Sequence, residues 1–412
     1  MQRLQLLNQR QSEAVEAWNG VGTINAAVGF GKNFTAFKCI EKALESNWIK
    51  SGDKIFFFAE TMAREDTLWK ELELYGKGLR NMFDWRFYCY QSLPVEERQL
   101  DIYDEIHDAL TPKYMYNIKN GAKYKIGLSA TIPKNYSIFR TELDYKDVNK
   151  VYSSKKELEE GDESFINKGQ LLDKLCPIVF VYTLEQGITE GLLSPFKTYI
   201  VEHTLDVDNK DLLIWKSKKE YGSESDYYNK RARLKQNYNL PFFMKQRLGK
   251  EMTLLLYELP SKTKLVKNLL ETIGGKTIIF GTRLEQLRLI TDNVVEGKNF
   301  KELVVKFNEG SINTIASSKK LKQGITLEGI ENCIIVSYFS TFSDIIQQLG
   351  RIVRFVEGKV AKLYIIVTLN TFEEKWFKEM QNMYDEKGKL EGIIDLKIAD
   401  YISSKSLLRG TR

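Results

Sequence analysis

The sequence predicts an α/β protein built as two tandem, doubly wound parallel sheets. Three features carry that expectation. Short apolar runs such as Lys54-Ile55-Phe56-Phe57-Phe58-Ala59 recur along the chain, which is how strands buried on both faces read. Stretches with helical spacing lie between them, so strand and helix alternate as parallel sheets require. One strand-to-helix turn, Ala26-Ala27-Val28-Gly29-Phe30-Gly31-Lys32-Asn33, is rich in glycine and has no second copy, so the second sheet reads as a partner to the first.

Composition narrows the class. The 412 residues are 43% hydrophobic and 28% charged, ordinary for a globular protein of two or three domains. The net charge of +6 leans mildly toward polyanionic partners. Cys39, Cys89, Cys176 and Cys333 have apolar neighbours and no metal-ligand spacing, so reduced core thiols are expected. With His107 and His203 the only histidines, a histidine-built metal site is not expected. Met1-Gln2-Arg3-Leu4-Gln5 lacks the apolar run of a signal peptide, and no stretch approaches a membrane span. The expectation is a cytoplasmic protein, monomeric and away from membranes.

Residues 4–18 have helical spacing and carry Gln11. Thr23-Ile24-Asn25 then reads as a strand, and Phe34 to Ile40 as a helix, with the glycine loop between them. That context makes the loop a phosphate cradle: glycines turn the backbone N–H groups of Gly29, Phe30 and Gly31 inward, and the helix N-terminus adds positive potential. Lys32 would reach the outer phosphates as a compact cation. The loop departs from the strict pattern twice. Ala26 stands at its first glycine, and Asn33 stands where a Ser or Thr hydroxyl would meet Mg²⁺. The Asn33 carbonyl is a hard oxygen that can ligate Mg²⁺. Read alone, the stretch is also compatible with a glycine turn beside a surface lysine.

The apolar strand at 54–59 is followed by Thr61 and Arg64, and Phe87 to Leu93 repeats the theme with Gln91 at its polar end. Ligands gather at the carboxyl ends of strands in open α/β sheets, so these side chains could hold a nucleic-acid backbone, or simply cap helices. Leu100 to His107 ends a strand on adjacent carboxylates. Such a pair is costly without a cation. Asp104 would hold Mg²⁺, directly or through water, and Glu105 would polarise the attacking water. Tyr124 to Thr131 is a further strand, ending in Ser129-Ala130-Thr131.

The order Gln11, Ala-x-x-Gly-x-Gly-Lys, Asp104-Glu105-Ile106-His107, Ser129-Ala130-Thr131 resembles a superfamily 2 helicase of the Asp-Glu-x-His type. The resemblance implies two RecA-like domains with the ATP site in the cleft between them, and ATP with Mg²⁺ as cofactors. It gives Gln11 the adenine edge, and gives His107, Ser129 and Thr131 the coupling of hydrolysis to movement on a strand. Residues 1–205 would form the first domain, with a charged surface insertion over about 134–172 and a last strand at Lys197-Thr198-Tyr199-Ile200-Val201. Residues 206–260 read as a helical connector with basic stretches and interleaved tyrosines, favouring a solvated basic face over a nucleic-acid contact.

The second domain, 261–412, repeats strand and helix. Its candidate grips on nucleic acid are Thr282, Arg283 and Lys319. The segment Ser317 to Leu327 resembles a helicase stretch ending Gly-Ile-Asp, placing Gly324 near the nucleotide but with Thr326 for the Asp. Gln347-Gln348-Leu349-Gly350-Arg351-Ile352-Val353-Arg354 matches Gln-x-x-Gly-Arg-x-x-Arg in full. Gln347, Arg351 and Arg354 would lie on one helix face, with the arginines acting on the γ-phosphate. Within the superfamily the chain is most similar to phage branch-migration helicases of the UvsW type and to DNA-repair helicases. That similarity implies a DNA motor acting on branched DNA in replication, recombination or repair. An RNA helicase, and a non-catalytic or motor subunit of a larger nucleic-acid complex, are the competing readings.

Overall fold

The computed structural model describes residues 2–92, 94–111, 114–130, 138–140, 165–215, 219–297, 299–318, 327–337, 350, 352–378 and 400–403. Thr131, Lys319, Gly324, Gln347, Arg351 and most of the 134–172 segment lie outside them. The chain divides into two compact units between Leu193 and Ser194.

The first unit is a six-stranded parallel sheet. Its strands are β1 (Val21–Ala26), β2 (Lys54–Ala59), β3 (Asp84–Cys89), β4 (Leu100–Asp104), β5 (Tyr124–Ser129) and, after the short antiparallel ribbon of β6 (Ile138–Arg140) and β7 (Phe165–Asn167), β8 (Ile178–Tyr182). Their spatial order is β3-β2-β4-β5-β1-β8. Both faces are covered, and the alternation along β2 shows it. Ile55, Phe57 and Ala59 enter one core cluster with Trp18, Phe37 and Leu68. Phe56 and Phe58 enter another with Tyr103 and Ile106. A strand with no polar face is what a continuous apolar run encodes. Three helices position the site: α1 (Gln2–Ala17), α2 (Lys32–Glu45) and α3 (Glu65–Tyr75).

The second unit is also a six-stranded parallel sheet, ordered β13-β12-β14-β15-β9-β16. Its strands are β9 (Phe196–His203), β12 (Thr277–Phe280), β13 (Thr314–Ser317), β14 (Asn332–Ile335), β15 (Ala361–Thr368) and β16 (Asp400–Ser403), with a separate ribbon of β10 (Leu212–Trp215) and β11 (Glu220–Gly222). Its core joins Val201, Ile279, Ile334 and Ile366 to the helix Pro260–Ile273.

One expectation is corrected here. The sequence places the strand at 197–201 last in the first domain. Instead β9 runs parallel to β15 over the whole of Phe196–His203, and to β16 on its other side. The edge beside β1 is taken by β8. An apolar pattern encodes burial but not which neighbour provides it, so the sheet to which β9 belongs is decided by tertiary pairing.

The cysteine reading agrees with the fold. All four thiols are free, and burial pushes Cys176 up to about 11. Among the described residues no helix is long and apolar enough to cross a membrane.

Candidate active site

The carboxyl edge of the first sheet collects the candidate residues. Strands β4, β5 and β1 are neighbours, with Asp104 beside Leu128 and Asn25 beside Ser129 in register. Three turns therefore emerge side by side: the glycine loop after β1, Asp104-Glu105 at the end of β4, and Ser129-Ala130 at the end of β5.

The loop is built as its glycines require. Gly29 and Gly31 have φ of 94° and 81°, the left-handed region that a side chain disfavours. A Cβ on Gly31 would come within 2.7 Å of Gln11 Nε2, and one on Gly29 within 2.8 Å of Leu193. Gln11 holds the loop from below: its Nε2 donates to the Phe30 carbonyl at 2.8 Å, and its Oε1 accepts from Lys38 at 2.8 Å. Gln11 is buried, and the structure places its amide on the loop backbone. Phe30 is buried against Tyr182, with ring centroids 4.9 Å apart. Lys32 begins α2 and donates to the Ala26 carbonyl at 3.2 Å.

Asn33, Glu71, Arg64 and Asp104 form a continuous polar chain. Asn33 Nδ2 donates to Glu71. A carboxylate only accepts, so this bond fixes which way the amide points. The Asn33 carbonyl oxygen is then left buried and without a hydrogen-bond partner. Glu71 also lies 3.7 Å from the Arg64 guanidinium, whose Nε donates to Asp104 Oδ2 at 2.7 Å. Arg64, expected on a nucleic-acid backbone, is 9% exposed and turned onto these carboxylates, because Asp104 and Glu71 offer it two charge partners away from water. Those two carboxylates keep its guanidinium above the usual arginine value despite burial. Sequence reading passed over Glu71. The available signal was spacing, since Arg64 and Glu71 are seven residues apart and share a helix face.

Asp104 is anchored through its own backbone: the buried Tyr90 hydroxyl donates to its carbonyl at 2.6 Å. Glu105 sits at φ 55°, a left-handed conformation that costs a non-glycine residue roughly 1–3 kcal/mol. Its Oε2 accepts from the Ala130 N–H at 3.4 Å and lies 3.5 Å from His107 Nδ1. His107 Nδ1 is also 2.8 Å from Ser129 Oγ. The structure thus brings Glu105, His107 and Ser129 together.

The remaining candidates divide. Thr61 and Gln91 are exposed at the same edge of the first sheet. In the second unit Thr282 and Arg283 follow β12 and are half-buried, with Arg283 Nε 2.8 Å from Glu258 Oε1. Arg354 is half-buried, and desolvation lowers its guanidinium from the usual value. Its backbone carbonyl accepts from Ser194 Oγ at 3.2 Å and from Lys359 Nζ at 2.8 Å.

An unpartnered amide carbonyl and a carboxylate are hard oxygen donors of the kind that Mg²⁺ takes. Among the described residues no three His, Cys, Asp or Glu side chains gather into a metal cluster. The residues therefore fit an ion held by one or two protein oxygens, with substrate phosphate and water completing its shell.

Residues 261–356 match the helicase conserved C-terminal domain. A curated relative, the uncharacterized killer plasmid pGKL-2 helicase of Kluyveromyces lactis, is 27% identical over 153 residues, covering 34% of this chain and 26% of the relative. Among solved structures, the ATP-dependent Type ISP restriction-modification enzyme LlaBIII bound to DNA aligns with a TM-score of 0.56 at 14% identity, covering 96% of this chain and 31% of that one. Saccharomyces cerevisiae Dbp5 L327V bound to RNA and ADP BeF3 aligns at 0.53 and 11% identity, covering 98% of this chain and 91% of that one. The chain thus spans about a quarter of the curated relative and under a third of the restriction enzyme. Residues 261–356 thus match a helicase conserved C-terminal domain, and the likeness to the solved structures shows the tandem RecA-like fold.

Proposed function

We propose that this chain is an ATP hydrolase that drives movement on nucleic acid, with branched or single-stranded DNA as its substrate in replication, recombination or repair. One observation carries the reading: the glycine loop with Lys32, the carboxylates Asp104 and Glu105, and Ser129 leave adjacent strands at one edge of one sheet. Lys32 and the loop N–H groups bind the phosphates. Asn33 and Asp104 would hold Mg²⁺, directly or through water, and the ion would supply positive charge to the phosphates. Glu105 orients the attacking water and accepts its proton. Its left-handed backbone aims the carboxylate at the β5 end, where His107 and Ser129 would pass the state of the site to the strand-binding surface. Gln11 fixes the loop beside the adenine. Arg354, with Arg351, supplies positive charge to the phosphoryl group in the transition state. Thr61, Gln91, Thr282 and Arg283 are the grips on the backbone of the bound strand. The branch-migration kinship and a cytoplasmic, monomeric protein belong to this reading.

The test is the ATPase rate without nucleic acid and with single-stranded DNA, forked DNA, four-way DNA and single-stranded RNA, with Lys32→Ala as blank. Strong stimulation by branched DNA, abolished in Lys32→Ala, is expected. Turnover retained in Lys32→Ala would remove the loop from the mechanism. A second reading is favoured by the restriction enzyme, of which this chain matches less than a third: the chain acts as the motor of a larger DNA-processing assembly. No stimulation by free DNA, but stimulation within a co-purified assembly, would select it. Preferential stimulation by RNA would move the substrate class to that bound by Dbp5.

A further inference from the structure

The second unit carries a helical hairpin whose tip the proposed chemistry does not use. Its arms are the helices Glu224–Lys235 and Phe242–Leu256. Its base is buried: Tyr228, Met252, Leu256 and Leu259 form a cluster, and the Tyr228 hydroxyl accepts from the Phe372 N–H at 2.8 Å. Arg231 and Glu251 pair across the arms at 2.8 Å.

The tip is the opposite. Tyr238 is 96% exposed, Phe242 75% and Phe243 66%. Among the described residues the other exposed large aromatic side chains, Tyr221 and Phe355, are both less exposed than these three. The turn that presents the three rings is hydrogen-bonded. Leu240 N–H donates to the Asn237 carbonyl at 3.2 Å, Asn239 N–H to Asn237 Oδ1 at 3.0 Å, and Pro241 caps the second arm. Clustered rings left in solvent gain nothing from burial inside the molecule, and such an exposed patch marks an interaction site.

Charge identifies what covers them. From Arg233 to Lys250 the chain has five cations (Arg233, Lys235, Lys245, Arg247, Lys250) and no acidic residue. Rings flanked by cations, of which Arg247 also pairs with Glu251 at 3.1 Å, match single-stranded nucleic acid: bases stack on aromatic faces whatever their sequence, and phosphates meet the flanking lysines and arginines. A paired duplex hides its base faces, so the tip discriminates for unpaired nucleotides. We infer that the hairpin tip, Tyr238, Phe242 and Phe243, is a stacking platform for single-stranded nucleic acid. The inference rests on the reading of the chain as a nucleic-acid motor and adds a site to it.

The test uses the full chain with fluorescein-labelled single-stranded DNA and RNA oligonucleotides, followed by anisotropy at several salt concentrations. Phe242→Ala/Phe243→Ala is expected to weaken single-strand binding about tenfold or more. ATPase without nucleic acid should stay unchanged, because both rings stand mostly in solvent and neither belongs to the residues proposed for the chemistry. Lys245→Ala should weaken binding and flatten the salt dependence by about one released ion. In Phe242→Trp, tryptophan fluorescence should be quenched as oligonucleotide stacks. Wild-type affinity in the double variant, or an unquenched tryptophan at saturation, overturns the platform while leaving the motor reading intact. Absence of any oligonucleotide binding by the wild type overturns both. A double variant that changes only oligomeric state overturns the platform and makes the tip a protein interface.

Discussion

Asn33 shows what changing one side chain demands of its surroundings. A hydroxyl at this position turns freely toward an ion, whereas an amide has two unlike ends and must be held the right way round. Glu71 does this by occupying the nitrogen, which leaves the carbonyl oxygen buried and unpaired. Removing the holder should therefore resemble removing an outer-shell partner of a metal ligand. Glu71→Ala is expected to raise the Mg²⁺ concentration needed for binding of a fluorescent ADP by about tenfold. In an Asn33→Thr background the same change should have little effect, since a hydroxyl needs no holder. Equal losses in both backgrounds would show that Glu71 acts through Arg64 instead. Residue identities at this edge were legible because spacing and strand ends are written in the sequence. Their pairings were less so: Arg64 looks like a surface cation until α3 brings Glu71 round beside it and β4 delivers Asp104.

Single elements are held by buried polar links as much as by apolar faces. β9 ends in His203, which is buried between Thr368 and Ser261. Ser261 spends its hydroxyl proton on Glu224 at 2.5 Å, so it must accept from His203 Nε2, and the imidazole is neutral with Nδ1 accepting from Thr368. Next to it Lys262 and Glu373 pair at 2.8 Å with neither side chain exposed. Burial, with Lys262 adding repulsion, lowers His203 from 6.5 to about 3. The native state thus refuses a proton that the unfolded chain accepts, so stability is full above pH 6.5 and is lost as pH falls toward 3. The loss should reach about 2 kcal/mol by pH 5. Denaturant unfolding of wild type and His203→Gln at pH 7 and pH 5 checks it, the variant being flatter with pH. Strands such as β2 and β12 were legible as apolar runs. The sheet of β9 was not, because this lock involves Glu224, Ser261 and Thr368, which are remote in sequence.

Across the whole molecule, the same alternation is written twice, and only the first writing includes a phosphate loop. Arg354 lies in the second unit, in a segment pinned by Ser194 through Val353 and Val356. If that guanidinium acts on transition-state charge, Arg354→Ala should lower kcat by roughly 10³-fold or more with nucleotide affinity nearly kept. Loss confined to affinity, read by fluorescent-nucleotide titration, would make it a binding residue.

The placement of β9 also bears on how the chain is made. β9 leaves the ribosome complete at His203, yet β15, its partner along all eight residues, does not begin until Ala361. At ordinary synthesis rates of about 5–20 residues per second, that interval is roughly 8 to 30 s. For that time an apolar strand with both edges open trails behind a finished sheet, available to any other strand nearby. A pause in translation between those points, or a shortage of chaperone, should therefore harm the yield of this protein more than a change of similar size anywhere in the first 190 codons.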